Sequence, residues 1–158
     1  MPCVRWLDPD EQRTWRSFLT ATRLLFYQLD HELQRDAGMP HGYYEILVRL
    51  SEATDCTLRM SELADATLSS RSRLSHAVQR LEESGLVVRR SCPSDGRGAL
   101  ATLTSQGIAA LRAAAPGHVA GVRAHLFDQL GPGQAMQLRE ICEAIIAHLD
   151  IRSAGGPA

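Results

Sequence analysis

Leu86-Val87-Val88-Arg89-Arg90-Ser91-Cys92-Pro93-Ser94-Asp95-Gly96-Arg97-Gly98-Ala99-Leu100-Ala101-Thr102-Leu103-Thr104 is where the apolar pattern of this chain changes period. Residues 86–90 and 99–103 are short strand candidates, and the segment between them is dense in turn formers, so the stretch predicts a β-hairpin. Arg97 stands at its tip between Gly96 and Gly98. An extended cation on a flexible ribbon suits a narrow minor groove, where the negative potential attracts arginine. Asp95 is placed to pair with Arg97 and hold the tip in shape. Without that function the same residues make a solvated turn whose ion pair contributes little.

Upstream of the hairpin the spacing is helical. Residues 60–66 predict a short helix with Leu63 and Ala64 inward. A turn at Thr67-Leu68 follows, with Ser69 as N-cap of the next helix. That helix, over 70–84, places Leu74, Ala77, Val78 and Leu81 on one face and Arg71, Ser72, Arg73, Ser75, His76, Gln79 and Arg80 on the other, with Gly85 ending it. Its outer face mixes small hydroxyls with Arg and His, and no acid occurs between Ser69 and Leu81. Small residues at the N-terminal end allow close approach to the floor of a major groove, and the unpaired amides there favour phosphate. Arg71 and Arg73 can reach guanine edges or phosphates; Ser69, Ser70, Ser72, Ser75 and His76 can meet base edges or backbone, and Arg80 extends the basic line. Two short helices and a hairpin in this order make a winged helix-turn-helix. Standing alone, the second helix would read equally well as a core helix with one solvated face.

Working outward, Asp8-Pro9-Asp10-Glu11 is a helix start, with Asp8 as N-cap, Pro9 in the first turn and Glu11 closing a capping box. Trp15, Phe18, Leu19, Thr22, Leu25, Phe26, Leu29 and Leu33 then recur at helical spacing to about Asp36, before Gly38 and Pro40. A helix of that length with aromatic residues along it implies packing against a second chain as well as its own core. Residues 41–53 predict a further helix presenting Tyr43, Ile46, Leu47 and Leu50, and 57–59 an extended link. Thr104 caps a helix expected to run to about Leu130 with a kink at Pro116-Gly117. Gly131-Pro132-Gly133 precedes a last helix carrying Leu138, Ile141, Ile145, Ile146 and Leu149.

Pro93 through Gly107, with its Asp-x-Arg followed by Leu103-Thr104-x-x-Gly107, resembles the wing and following helix of the MarR family. Ser61-Glu62-Leu63-Ala64 resembles that family's first helix-turn-helix helix, and Leu81 through Val87 the end of its recognition helix. The similarity extends over nearly the whole chain. It departs in Gly131, where Ser or Thr is more usual, and in Pro116. The resemblance implies a mainly α fold with a small β-hairpin wing, organised as one domain over 1–158. Its winged helix-turn-helix core would span 55–104, and its dimerisation helices 8–37 and 105–150. It further implies a homodimer on double-stranded DNA, reading a palindromic operator as a repressor. Arg97 would enter the minor groove, braced by Asp95, and residues 70–80 would line the major groove.

Family members often release DNA when a small aromatic or anionic ligand binds, and others respond to thiol oxidation. Trp15, Phe18, Phe26, Tyr43 and Tyr44 are pocket candidates, with Arg16 or His41 for an anion. The same aromatics also read as ordinary core or dimer packing. Cys92, beside Arg89 and Arg90, is the thiol candidate, expected to be exposed; Cys3 stands near the N-terminus.

Net charge is −1, yet residues 59–98 hold seven Arg against five acids, net +2, leaving −3 elsewhere. No lysine occurs, so the choice of Arg at any single position carries little information. Cys3, Cys56, Cys92 and Cys142 are scattered and read as unbridged thiols, and no metal or other cofactor is expected. The first residues lack a secretory pattern and no apolar run approaches a membrane span, so a cytoplasmic protein is expected. With neither a nucleophile-elbow pattern nor a phosphate-cradling glycine loop, the chain does not read as an enzyme. A winged domain used for protein contact is the remaining alternative.

Overall fold

The computed structural model describes residues 4–92 and 95–149, with side chains throughout except at 95–97. These residues divide into two compact units, one up to Gly121 and one from Val122 onward.

The first unit opens with α1 (Pro9–Ala37). Asp8 accepts the amides of Asp10 and Glu11, and Glu11 accepts the amide of Asp8 at 2.9 Å, which closes the expected capping box. Gly38 ends the helix at φ 62°, with its amide on the Gln34 carbonyl. Pro40 offers no side-chain cap to α2 (His41–Glu52); instead the His41 amide bonds to Asp30 of α1 at 2.8 Å. Within α2, Tyr44, Ile46, Leu47 and Leu50 are buried while Tyr43 is half-buried, so Tyr44 joins the core alongside the residues expected there.

A 3-10 turn at Thr54–Cys56 leads into β1 (Thr57–Arg59), then α3 (Met60–Ala66), α4 (Arg71–Glu83), β2 (Val87–Cys92), β3 (Asp95–Leu103) and α5 (Ser105–His125). The expected extended link at 57–59 is a third strand. It pairs antiparallel with β3, giving the order β1-β3-β2, and the Thr57 and Thr102 hydroxyls lie 2.9 Å apart across the pair. The hairpin strands are longer than their apolar runs, reaching Cys92 and Asp95, with a bulge between Ser91 and Cys92. Leu47, Leu50, Leu63, Leu74, Val78 and Leu81 form the centre of the core, packed with Val87, Ala101 and Leu103 from the sheet. Core burial on three helices and a sheet fixes how α4 stands relative to the wing.

At the corner between α4 and β2, the Gly85 amide bonds to Glu82 and the Leu86 amide to Leu81, with Gly85 at φ 74°. That pattern is a Schellman end. Thr104 closes the other side: its hydroxyl donates to the Gly85 carbonyl at 2.7 Å and accepts the Gly107 amide at 3.0 Å. Here α5 begins. It runs through Pro116 as one helix. It ends at His125 rather than near Leu130, because a 3-10 turn at Phe127–Gln129 takes over.

The second unit holds the last turn of α5, that 3-10 turn and α6 (Gln134–Leu149). Met136, Ile141, Ile145, Ile146 and Leu149 of α6 are exposed, and no residue of this helix is buried. Among the described residues no helix is long and apolar enough to cross a membrane.

Candidate nucleic-acid interface

The start of α4 is set by Ser70, whose hydroxyl accepts the Arg73 amide at 3.3 Å; Ser69, the expected cap, lies one residue before it. Two adjacent serines could each have capped the helix. The choice follows from the turn, where Leu68 adopts φ 49° and the Ser69 amide returns to the Ala64 carbonyl. Leu68 is 88% exposed, so a bulky side chain stands in a left-handed conformation on open surface.

At 100° per residue, with Leu74, Val78 and Leu81 inward, the outer arc of α4 divides into three lines. Arg71 and Ser75 fall on the flank toward the sheet and line a groove with Arg59, Ser61, Arg89 and Gly98. Ser69, Ser72, Arg73 and His76 line a second groove toward α2, with Tyr43 and Pro40 across it. Ser72, His76 and Gln79 are nearest the middle of the arc. Arg80 points outward but is held by Glu83 at 3.0 Å, an exposed pair of small energetic weight. Arg71 and Arg73 are exposed and carry no ion pair among the described residues.

One interaction that the sequence did not signal fixes the wing to α4. Glu82 accepts the Arg89 amide at 3.1 Å and its Nε at 2.8 Å. Those two bonds, the backbone one first, hold the Glu82 carboxyl below its ordinary range. Arg90 is exposed, opposite Leu100 in the ladder, and Arg59 lies opposite Leu100 from the other side. The backbone of β3 begins at Asp95, whereas the side chains of Asp95 and Arg97, and their expected pairing, lie outside the described residues.

The candidate effector residues separate into groups. Trp15 stacks on Phe18 at 6.1 Å, both about half-exposed, with Arg16 exposed beside them on α1. Phe26 meets His41 edge-on at 5.6 Å, His41 lies 5.4 Å from His118, and Tyr44 lies 4.5 Å from the same ring. Tyr43 faces the α4 groove instead. Next to His118 is a cavity of ≈210 Å³ lined by Leu29, Glu32, Leu33, Asp36 and Met39, and none of the candidate effector residues lines it. His118 was missed because its partners are far away in sequence. Its Nδ1 is buried without a hydrogen-bond partner.

Burial lowers the His118 pKa from its ordinary 6.5, His41 adds to the shift, and Glu32 opposes it. The folded chain therefore binds this proton at lower pH than the unfolded chain does. Stability is unaffected well above 6.5 and falls as pH is lowered through 6.5 toward the depressed value. Thermal melts from pH 8 to 5 are expected to show a steeper acid decline in the wild type than in His118→Gln. Equal declines would remove His118 from the account.

Cys92 is 6% exposed, which corrects the expectation of an exposed thiol. The bulge after Ser91 resets the alternation of β2, so Cys92 turns inward although Arg90, two residues before, points out. Cys3 lies outside the described residues. No group of His, Cys, Asp and Glu that could hold a metal occurs among the described residues.

The model of the MarR family matches residues 37–98. The crystal structure of Sco3205, a MarR family transcriptional regulator from Streptomyces coelicolor in complex with DNA, is 51% identical over 94% of this chain and 93% of that one, with a TM-score of 0.90. The chain belongs to the MarR family. AbsC, a MarR family transcriptional regulator from the same organism, is 46% identical over 93% of this chain and 99% of that one, at a TM-score of 0.87. The regulator BldR from Sulfolobus solfataricus, 20% identical over 90% and 100% of the respective chains, shares the fold at a TM-score of 0.77. No protein of curated function matches. This MarR family chain is thus a transcriptional regulator and not an enzyme, with the mainly helical, winged architecture read from its sequence.

Proposed function

We propose that this MarR family regulator binds a palindromic operator as a homodimer, with α4 in the major groove and the wing tip in the adjoining minor groove, and acts as a repressor. The observation that carries this reading is the outer arc of α4. From Arg71 to Arg80 it holds cations, hydroxyls and an imidazole with no carboxylate, on a helix whose inner face is locked into the core. Sco3205, half identical in sequence, was crystallised with DNA. The homodimer is supported by two apolar surfaces. Trp15, Phe18, Leu24, Phe26 and Tyr27 are exposed on α1, and five large apolar side chains are exposed on α6. On this reading 1–158 works as one domain in the cytoplasm, with the winged core over 55–104 and dimer-forming segments over 8–37 and 105–150. Release by a small aromatic or anionic ligand would act where His41 and Tyr44 meet His118, with Phe26 against His41.

Selection of bound genomic fragments followed by titration on the recovered sites tests the reading. Half-site centres roughly 10 bp apart are expected for a two-fold dimer spanning one helical turn. Arg97→Ala is expected to weaken binding at most sequences and to make the salt dependence shallower by about one phosphate-equivalent per protomer. Binding of the wild type that is no tighter to selected than to random fragments would sink the proposal. An Arg97→Ala protein that binds as the wild type does would remove the wing from it.

A further inference from the structure

The groove between α2 and α4 is open and holds ≈500 Å³. Gly42 and Tyr43 line it from the first turn of α2, and Ser72, Arg73 and His76 from the outer arc of α4. No carboxylate lines it. Ile46 and Leu74, at its base, are both buried in one core, so the spacing of the two walls is fixed before anything enters. Tyr43 is the polar group on the α2 wall. Its ring packs against the edge of that core, while its hydroxyl makes no hydrogen bond among the described residues. The hydroxyl is not shut away from water either, since the side-chain polar atom that is buried without a partner among the described residues is His118 Nδ1. An anchored ring thus presents an open phenolic donor to the groove. Across from it, Arg73 is exposed and carries no ion pair among the described residues. Beside Tyr43, nothing lies within 4 Å of the Cβ position of Gly42, which leaves the backbone of this turn bare.

We propose that this groove seats a phosphate of the DNA backbone at the edge of the major groove entered by α4. The Tyr43 hydroxyl donates to one of its oxygens, and Arg73 and Ser72 face it from the other wall. Gly42 gives the strand room to come close. The proposal rests on the DNA-binding reading above and extends it from α4 to α2. It also moves Tyr43 from the candidate effector residues to the DNA interface. A phosphate contact sets register without reading sequence. A phenol is uncharged, so it adds affinity without displacing a counterion of the duplex. The consequence is specific. Removing the Tyr43 hydroxyl should weaken binding to operator and to random DNA by the same factor and leave the salt dependence as it is.

The test titrates wild type, Tyr43→Phe and Gly42→Ala on an operator and on random duplex from ~50 to ~200 mM salt. Tyr43→Phe should bind both duplexes about tenfold more weakly, the scale of a hydrogen bond to a charged group, with the wild-type slope of log K against log salt. Gly42→Ala adds a methyl group in open space on a helix, so it should melt at or above the wild-type temperature. It should nevertheless bind both duplexes more weakly, because the methyl stands in the path of the strand. Loss of binding in a variant that folds at least as well as the wild type guards against a folding defect. A scan of single methylphosphonates through the operator should then find a backbone position whose neutralisation weakens the wild type but adds little to Tyr43→Phe. Wild-type affinity in either variant of a protein that binds its operator would overturn this seat and leave the DNA reading standing. Altered base preference in Tyr43→Phe would overturn it equally, since the hydroxyl would then be reading a base edge. A wild type that binds no DNA would remove both.

Discussion

Gly107→Ala is expected to lower the stability of the fold by at least ~3 kcal/mol, well beyond the typical cost of a surface change. A Cβ at Gly107 would collide with the Leu86 carbonyl oxygen and with Leu103 Cδ1. The leucine methyl could rotate away, but the carbonyl could not. It accepts the amide of Thr104 at 3.1 Å, so displacing it opens the junction of α4, the sheet and α5. The helix preference of Ala over Gly, about 1 kcal/mol, works in the opposite direction and is too small to decide the sign. Gly117 provides the contrast within the same helix. Nothing lies within 4 Å of its Cβ position and its φ is not positive, so Gly117→Ala is expected to stabilise by ~0.5–1 kcal/mol. Urea unfolding of both variants at one fixed protomer concentration, necessary where association contributes to stability, separates them. A Gly107→Ala protein as stable as the wild type would show that the junction yields more easily than its hydrogen bonds indicate.

Gly107 also illustrates what was legible in the sequence. Leu103-Thr104-x-x-Gly107 was readable as a pattern, but its cause is a contact between Leu86 and Gly107 across two chain reversals. Local signals were clear where the chemistry is local. The Asp8/Glu11 capping box and the Gly38 stop define α1 almost to the residue, and the alternating and helical periods located α3, α4 and the hairpin. Three residues, Thr57-Leu58-Arg59, are too few to show a strand period, so β1 emerged only from its pairing with β3. Tertiary partners decided what remained. Glu82 owes its place to Arg89, seven residues further along the chain, and the outward-facing Arg80 is paired with Glu83. A single bulge turned Cys92 from the outside of the hairpin to its inside.

The candidate site divides along the same boundary. The outer arc of α4 was readable because helical spacing alone sorts Arg71, Ser72, Arg73, Ser75 and His76 from Leu74 and Val78. The groove shared with Arg59 and Ser61 was not, since it joins α3, α4 and all three strands. The candidate effector residues share a chemical type rather than a place. Trp15 and Phe26 are eleven positions apart, roughly 16 Å along a helix, which is too far to share a small ligand. His118, which meets His41 and Tyr44 directly, gave no local sign of doing so.

The largest effect on DNA affinity is expected from Arg73→Glu. Arg73 is exposed, lacks an ion-pair partner among the described residues, and stands in the first turn of α4. Its role in folding is carried by its backbone amide, which bonds to Ser70, so the side chain can change without disturbing the cap. An acid in the first turn also suits the helix dipole, so the variant should be within ~0.5 kcal/mol of the wild type or slightly more stable. Lost binding could then not be attributed to unfolding. For a homodimer the reversal removes two cations and places two anions against phosphate. The salt slope should become shallower by ~1.8, and affinity near 0.1 M salt should fall about a thousandfold or more. Arg73→Ala separates the two ways in which the native side chain could act. If Arg73 reads a guanine, the alanine variant should lose ~1–3 kcal/mol of discrimination at one base position. If it meets the backbone, the ranking of sequences should survive and only the salt slope should change. Wild-type affinity in Arg73→Glu would be incompatible with α4 lying in the major groove, because a carboxylate on the first turn of a reading helix cannot approach the duplex without cost. That result would move the regulator's contact with its target away from this helix altogether.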